Sequence, residues 1–170
     1  MIKIKPLFLI LILVFLFTSC TRQRHKVTFQ SPFPAKKDGI WGFPLPEPPF
    51  IINSAFGELR KKGTSFYRHQ GIDIKAKEGT PVLAVQKGTV IFAGPLKDYG
   101  LLVCIEHPGN WETRYAHLSS IAIKTNKKVK KGQIIGRVGA TGNATGPHLH
   151  FELRKNGTPI NPAPLITQTK

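Results

Sequence analysis

The chain has 170 residues, two cysteines and a formal net charge of +16, with a sequence pI of about 10.2. Once an export signal is removed, about 150 residues remain, which is enough for one domain. The charge suits an anionic partner such as a nucleic acid, a membrane surface or a cell-wall polymer. Because the N-terminus carries an export signal, we expect no nucleic-acid partner.

The N-terminal segment has the features of a bacterial export signal. Lys3 and Lys5 precede an apolar run from Leu7 to Phe17, and two small residues then precede Cys20. The run is shorter than the roughly 20 residues that span a bilayer as a helix, so it indicates a cleaved signal peptide. The end of the run resembles a lipobox, in which the cysteine is lipidated. The sequence predicts a signal peptide at 1–19 and lipidation of Cys20, with an incidental cysteine as the alternative.

The next segment, residues 20–48, has the composition of a tether. It contains five prolines, at positions 32, 34, 44, 46 and 48, and shows no apolar periodicity. Proline-rich stretches of this kind are extended and semi-rigid, which suits a spacer between a membrane anchor and a domain. Trp41 and Phe43 leave open the alternative that part of this segment docks onto the domain.

From residue 49 to 165 the sequence predicts one all-β domain, followed by a short tail at 166–170. Short β-type runs alternate with turn signals such as Lys87-Gly88, Pro108-Gly109-Asn110 and Asn156-Gly157,. The predicted strands are Val82–Val85, Thr89–Phe92, Leu101–Glu106, Glu112–Ala116, Gln133–Ile135 and His148–Leu153. Many short strands at close spacing favour a small antiparallel sandwich or barrel-like sheet.

Two further features are ambiguous at the level of sequence. Cys104 lies in the apolar run Leu101–Ile105, and we interpret it as a small buried hydrophobe because its neighbours supply no base,. A lysine cluster surrounds Val129, and it is either a solvated turn or a wall-binding patch. Its members are Lys124, Lys127, Lys128, Lys130 and Lys131.

Histidines and one aspartate form two groups that suit a divalent metal ion. His148 and His150 are two residues apart on a predicted strand, so their side chains share one face with Cα atoms about 7 Å apart,. His69 and Asp73 are four apart, which on a straight strand would separate them by about 13 Å. We therefore expect the chain to bend or bulge between them, at Gly71.

Three motifs in fixed order extend this pattern: His-x-Gly-x-Asp at 69–73, Tyr-Ala-His-Leu at 115–118 and Thr-Gly-Pro-His-Leu-His-Phe-Glu at 145–152. Together with Gly-Thr-Pro-Val at 79–82 and Lys-Gly-Gln-Ile-Ile-Gly at 131–136, they resemble the lysostaphin-like zinc metallopeptidases, also called the LytM family. The resemblance covers about residues 50–162. The chain departs from it at Leu101 and Leu102 and in the spacing of residues 58–68, positions that affect the groove more than the metal.

The resemblance implies specific roles for five residues. The metal ligands would be His69, Asp73 and His150, holding zinc, and the catalytic pair would be His117 and His148. All five positions carry the residue that the family pattern requires. Two histidines and one aspartate would leave a fourth zinc position open, as in catalytic zinc sites.

For the substrate, the resemblance implies peptide cross-links of peptidoglycan. The export signal and Cys20 separately predict that the protein is lipid-anchored to a bacterial membrane and faces the periplasm or cell wall,. A protein activator is a further possible partner. The main alternative is a non-catalytic lipoprotein of the same fold that binds the wall or activates an amidase. A second alternative is a lipoyl-type carrier modified at Lys87, but export and the poor setting of that lysine argue against it.

Overall fold

The structure is a computed structural model that describes residues 41–46 and 51–166. The predicted signal peptide, Cys20 and most of the predicted tether and tail lie outside the described residues. Within the described ranges, no helix has both the length and the apolar character needed to cross a bilayer.

The described residues form strands, one short 3₁₀ helix at Lys97–Tyr99 and no α-helix, which confirms the predicted all-β class. The strands are β1 (Ile51–Ser54), β2 (Leu59–Lys62), β3 (Ser65–Arg68), β4 (Ile72–Lys75), β5 (Pro81–Leu83), β6 (Gly88–Leu96), β7 (Gly100–His107), β8 (Trp111–Ile121), β9 (Lys128–Val129), β10 (Ile134–Val138), β11 (His148–Lys155) and β12 (Thr158–Ile160).

The strands form one large antiparallel sheet and a separate hairpin. The main order is β1-β4-β11-β8-β7-β6-β9, with β12 beside β11. The long strand β8 pairs with β11 and β7 and, towards its end, with β10, which also pairs with β5. The hairpin β2–β3 pairs only with itself within this arrangement. The sheet therefore folds over one core and leaves the hairpin beside it.

Alternation along β11 shows how the sheet separates the core from the site. Leu149, Phe151 and Leu153 are fully buried in the main apolar cluster, together with Tyr115 from the neighbouring strand β8. The intervening residues of β11 point to the opposite face. The histidines and the apolar residues of β11 therefore lie on opposite faces of the strand, as predicted.

The structure places part of the predicted tether in the core. Trp41, Phe43 and Leu45 have relative exposures of 5%, 9% and 5%, and the Gly42 N–H donates to the Val85 carbonyl at 2.7 Å. Residue 41 also forms a bridge with Ile166, from the predicted tail. Residues 41–46 pack as part of the domain because their alternate residues are apolar and reach the core. This agrees with the alternative in which part of the tether docks onto the domain.

Candidate active site

Cross-strand pairing brings three of the predicted site residues onto one face of the sheet. Asp73 on β4 lies directly opposite His150 on β11, and Lys75 lies opposite His148. Since directly paired residues of antiparallel strands share a face, Asp73, His148 and His150 all lie on the face away from the main core. Glu152, two residues beyond His150, shares that face.

His69 joins this group because the chain bends before β4 begins. Its backbone N–H donates to the Glu58 carbonyl at 2.9 Å, and its Nε2 lies 3.2 Å from Asp73 Oδ1. The bend is at Gly71, where a Cβ atom would lie 2.3 Å from the Phe151 carbonyl oxygen. Only glycine permits this approach, and the predicted bend is confirmed.

His117 reaches the same face through a bulge in β8. The pairing with β7 passes from Leu101↔Leu118 to Val103↔Tyr115, so Ala116 and His117 oppose one β7 residue. His117 has φ of 60°, a left-handed conformation that is uncommon for residues other than glycine,. Bulges redirect side chains, and this one turns His117 into the site beside His148, with 4.7 Å between ring centroids.

The three predicted metal ligands present their lone pairs to one another. His69 Nδ1–H donates to the Ala55 carbonyl at 2.9 Å, so its Nε2 is an acceptor,. His150 Nε2–H donates to Glu152 Oε1 at 3.2 Å, so its Nδ1 is an acceptor. These two nitrogens are 3.0 Å apart and lie 3.2 and 2.8 Å, respectively, from Asp73 Oδ1.

Three acceptors in contact repel one another unless a cation or a proton lies between them. Zinc ligands at about 2.0–2.2 Å from the ion would be roughly 3.4 Å apart in a tetrahedron, close to the spacing seen here. The environment also favours a proton: burial opposes it, but hydrogen bonds with Asp73 and Glu152 raise the pKa of His150. The donor set fits a divalent metal ion such as zinc.

Arg60, on the hairpin strand β2, holds the other oxygen of the aspartate. Its Nη2 donates to Asp73 Oδ2 at 2.5 Å and to Ser54 Oγ at 2.7 Å. Burial raises the pKa of Asp73, but the interactions of its carboxylate with His150, His69 and Arg60 outweigh burial and hold the pKa well below its usual range. Asp73 is therefore an anion whose Oδ1 alone faces the histidines.

A second buried carboxylate orients His150. Glu152 is fully buried, and its Oε1 accepts from the Tyr99 hydroxyl at 2.7 Å as well as from His150. Arg154 Nη1 donates to Oε2 at 2.7 Å. Burial raises the pKa of Glu152, while the hydrogen bonds from His150 and Tyr99 lower it to about 2. A carboxylate in this position fixes the tautomer and ring orientation of a ligating histidine.

The two remaining histidines, His117 and His148, both use Nδ1 to bond a backbone carbonyl. His117 Nδ1–H donates to the Thr141 carbonyl, and His148 Nδ1–H to the Gly146 carbonyl, each at 2.8 Å. Their Nε2 atoms are therefore available for proton transfer. Burial lowers the pKa of His117 to about 4, with the Thr141 hydrogen bond opposing it and His148 adding to it. His117 is neutral at neutral pH.

A cleft of about 270 Å³ opens beside these residues. One wall is the hairpin β2–β3, which contributes Arg60, Lys62 and Tyr67, and the other includes Asp98 and Tyr99 of the 3₁₀ helix. Lys62 Nζ and Asp98 Oδ2 are 2.5 Å apart, and this ion pair links the two walls. Both side chains are more than half exposed, so the link is accessible to solvent.

Comparison with known proteins identifies the family. Residues 67–162 match the model of peptidase family M23, a stretch of more than half of the chain that contains all five predicted site residues. The chain belongs to peptidase family M23. This agrees with the lysostaphin-like resemblance of the three motifs.

Two curated M23 relatives have names that describe an activity. The DD-carboxypeptidase/endopeptidase Mpg of Neisseria meningitidis is 46% identical over 119 residues, which cover 69% of this chain and 27% of Mpg. The peptidoglycan DD-endopeptidase ShyA of Vibrio cholerae is 44% identical over 93 residues, covering 55% of this chain and 22% of ShyA. The matched region thus spans about a quarter of these relatives.

A solved structure supports the fold assignment directly. The catalytic domain of the antimicrobial peptidase lysostaphin from Staphylococcus simulans has a TM-score of 0.62 and 33% identity, over 68% of this chain and 90% of that domain. The antiparallel sheet described above is therefore the architecture of an M23 peptidase domain.

The structure brings His69, Asp73, His117, His148 and His150 together around the M23 cleft. The sequence predicted no role for Arg60, Tyr99 and Glu152, which contact them. The signal for Glu152 was present, since it lies two residues beyond His150 on the same strand, whereas Arg60 carries no local signal. Cys104 is buried, with a pKa raised to about 12 by burial, which agrees with its interpretation as a buried hydrophobe.

Proposed function

We propose that this chain is a zinc-dependent endopeptidase that cuts peptide cross-links of bacterial peptidoglycan. The observation that carries the proposal is the convergence of three acceptor atoms, on His69, Asp73 and His150, beside two histidines whose Nδ1 atoms are held by backbone carbonyls. The M23 family supplies peptidase activity as the general class.

The three converging atoms would hold the ion, and the other two histidines would move protons. A zinc ion bound there supplies a Lewis acid that polarises a peptide carbonyl and lowers the pKa of water. His117, neutral because it is buried, accepts a proton at Nε2 and can return it to the leaving amine,. His148 Nε2, at 3.8 Å from Asp73 Oδ1, lies at the inner edge of the same site.

The substrate assignment rests on the cleft and on the relatives. Arg60, Lys62 and Tyr67 line one wall of the cleft and offer polar and aromatic surface to a peptide, with the two cations paired to Asp73 and Asp98. Mpg and ShyA are named as enzymes that act on DD bonds, ShyA on those of peptidoglycan. The proposed bond is therefore a DD-peptide cross-link.

We also propose that the protein is exported and held at a bacterial membrane by lipid on Cys20, facing the periplasm or cell wall. The basic start, short apolar run and small residues before Cys20 support this,. The non-catalytic alternative is less well supported because all five site positions are filled and their atoms converge.

The test is digestion of isolated peptidoglycan by the proposed mature chain, residues 20–170, with products identified by mass spectrometry. We expect release of uncross-linked peptides, abolished by a zinc chelator and restored by zinc. A chain that binds zinc but releases no peptides, while ShyA cleaves the same preparation, would contradict the proposal and favour the non-catalytic alternative.

A further inference from the structure

We propose that the lysine-rich end of the domain lies against an anionic phospholipid surface, with the active-site cleft directed away from it. The basic face is defined here as Lys87, Lys127, Lys128, Lys130 and Lys131. The inference rests on the lipid-anchor part of the proposed function, and it concerns residues that no step of the peptidase reaction uses.

Two separate segments build the basic face. The short strand β9 pairs with the first two residues of β6, so Lys128 lies opposite Thr89, and Val129 lies opposite Gly88, which follows Lys87. Val129 is only 4% exposed and anchors β9 to the core, while the five lysines are exposed. A shallow groove of about 660 Å³ runs between the segments, lined by Lys87, Lys128, Lys130 and one carboxylate, Glu106.

Four of the five lysines of this face form no ion pair with another described residue. Among residues 41–46 and 51–166, the ion pairs involve Arg60, Lys62, Arg114, Arg154 and histidines of the site. Lys87, Lys127, Lys128 and Lys130 take part in none of them. Several exposed lysines on adjacent segments are suited to a diffuse anionic surface more than to one buried carboxylate.

The chain enters the described domain at this same end. Trp41 packs edge-on against His107 and Trp111, with ring centroids 5.2 and 5.3 Å away. The neighbouring Gly42 bonds to Val85, two residues before Lys87, and the Lys131 side chain lies 3.0 Å from the position a Gly42 Cβ would take. The segment that leads back to Cys20 therefore starts beside the basic face.

The tether length limits how far this end can lie from the anchor. Twenty residues separate Cys20 from Trp41, and a fully extended chain of that length spans at most about 70 Å. Five of them, Arg22, Arg24, Lys26, Lys36 and Lys37, are basic. The anchored domain would meet the membrane with its positive end nearest the attachment point.

The cleft lies at the other end of the same hairpin. β6 begins beside Lys87 and ends at Leu96, just before Asp98 and Tyr99 of the cleft wall. Eight residue steps along a strand cover roughly 25 Å. With the basic face on the membrane, the end of β6 that borders the cleft would lie up to about that distance from the lipid surface.

The test measures co-sedimentation of residues 20–170 carrying Cys20→Ala, so that no acyl chain contributes, with phospholipid vesicles. Each lysine near an anionic surface contributes about five-fold in affinity. We expect binding to vesicles containing phosphatidylglycerol and much weaker binding to phosphatidylcholine alone. Binding should weaken as salt rises, because the charges are solvent-exposed.

The decisive comparison uses two triple variants of equal charge. Lys127→Glu, Lys128→Glu and Lys130→Glu should reduce binding by on the order of 100-fold or more. The control carries Lys61→Glu, Lys75→Glu and Lys77→Glu, three exposed lysines outside the face, and should keep most of the binding. The basic residues of the tether are present in both, so the difference reports on the face.

Three outcomes would overturn the proposal: no binding to anionic vesicles, equal loss in both variants, or unchanged vesicle binding with lost binding to isolated peptidoglycan. The last would assign the face to the wall polymer. Vesicle binding does not depend on hydrolysis, and the face variant should still cleave soluble cross-linked peptides. A failure of this inference is thereby distinguished from a failure of the proposed enzyme activity.

Discussion

His117 shows how much of the site depends on one unusual backbone conformation. Its φ of 60° belongs to a bulge that no local sequence pattern requires. Its ring donates a hydrogen bond to the Thr141 carbonyl. Strained backbone of this kind persists where the surrounding structure enforces it, often at functional sites. Here it separates the proposed proton-transfer group from the proposed metal ligands.

Replacing His117 should abolish most hydrolysis without releasing metal. We expect His117→Asn to lose about 10²–10⁴-fold in kcat, the usual contribution of general acid–base catalysis. Asparagine tolerates positive φ, so the bulge should persist, and His117→Ala should give the same loss. The measurements are kcat on a cross-linked peptide and zinc content; near wild-type kcat would show that His117 is not catalytic.

Arg60 acts on the site through Asp73. By holding Oδ2, it leaves Oδ1 as the one oxygen that faces His69 and His150. Loss of partners surrounding metal ligands typically costs 10–100-fold in metal affinity or activity. Arg60→Gln should therefore weaken zinc binding about 10-fold or more, measured by competition with a chromophoric chelator.

The matched control for Arg60 is Lys61→Gln, which removes the same charge from the next residue of β2. Lys61 is exposed and lies near the Phe66 ring, away from Asp73. We expect it to bind zinc as wild type does. Tighter zinc binding by Arg60→Gln would mean that the guanidinium competes with the metal instead of positioning its ligand.

At the scale of elements, a buried polar chain joins the strands behind the site. His107 Nδ1–H donates to the Lys87 carbonyl, and its Nε2 accepts from Thr113 Oγ1, each at 2.8 Å. The Tyr115 hydroxyl lies 3.1 Å from Thr113 Oγ1 and accepts a hydrogen bond from the Val85 N–H at 3.0 Å. This chain ties β7 and β8 to the loop that follows β5.

This series of hydrogen bonds requires a neutral His107 imidazole, because its Nε2 must accept from Thr113. Burial lowers the pKa of His107, although the Lys87 carbonyl and the charge of Glu106 act in the opposite direction. Because the folded-state pKa lies below the unfolded value near 6.5, the unfolded state binds more protons as the pH falls,. The contribution of His107 to the free energy of unfolding is therefore fully present above about pH 6.5 and decreases as the pH falls below that value,.

We predict that His107→Gln lowers the free energy of unfolding by about 1–3 kcal/mol at neutral pH, through lost buried hydrogen bonds. The difference from wild type should narrow as the pH falls from about 7 to 5, in denaturant titrations. Comparing the two proteins removes the contribution of the other histidines. A difference that stays constant or widens would show that folding does not lower the pKa of His107.

The motif-bearing strands could be predicted because their signals are local. Alternation identified His148 and His150 on one face of β11, and the four-residue spacing of His69 and Asp73 demanded a bend at Gly71. The metal triad followed from these positions together with the family resemblance. These predictions depended only on side-chain periodicity along the strand and on the position of Gly71.

The remaining parts depend on partners distant in sequence. The hairpin β2–β3 was missed because its large side chains are exposed, Leu59 at 61% and Phe66 at 64%, so no core-facing pattern exists. Trp41 was assigned to the tether because prolines dominate its neighbourhood. The bulge at His117 depends on the register of β7, which β8 alone does not encode.

At the scale of the whole molecule, the proposed anchor and the basic face act together. Cys20→Ala should move the protein from the membrane fraction to the soluble fraction, measured at high salt so that electrostatic binding is screened. Residual membrane association at low salt would then come from the basic face and tether. Unchanged fractionation at high salt would rule out lipid anchoring through Cys20.

The arrangement separates attachment from catalysis. Attachment would use the tether and the lysines near the start of β6, while catalysis would use the cleft beyond its end, roughly 25 Å away along the strand,. Substitutions at one end should therefore leave the other function intact.

The zinc content of the purified protein shows whether His69, Asp73 and His150 together hold a zinc ion. Purified residues 20–170 should contain one zinc ion per chain, and His117→Asn should match it. His150→Ala should lose the metal, because two protein ligands rarely retain zinc. Zinc-free wild-type protein after incubation with zinc, or a full equivalent retained by His150→Ala, would contradict the account.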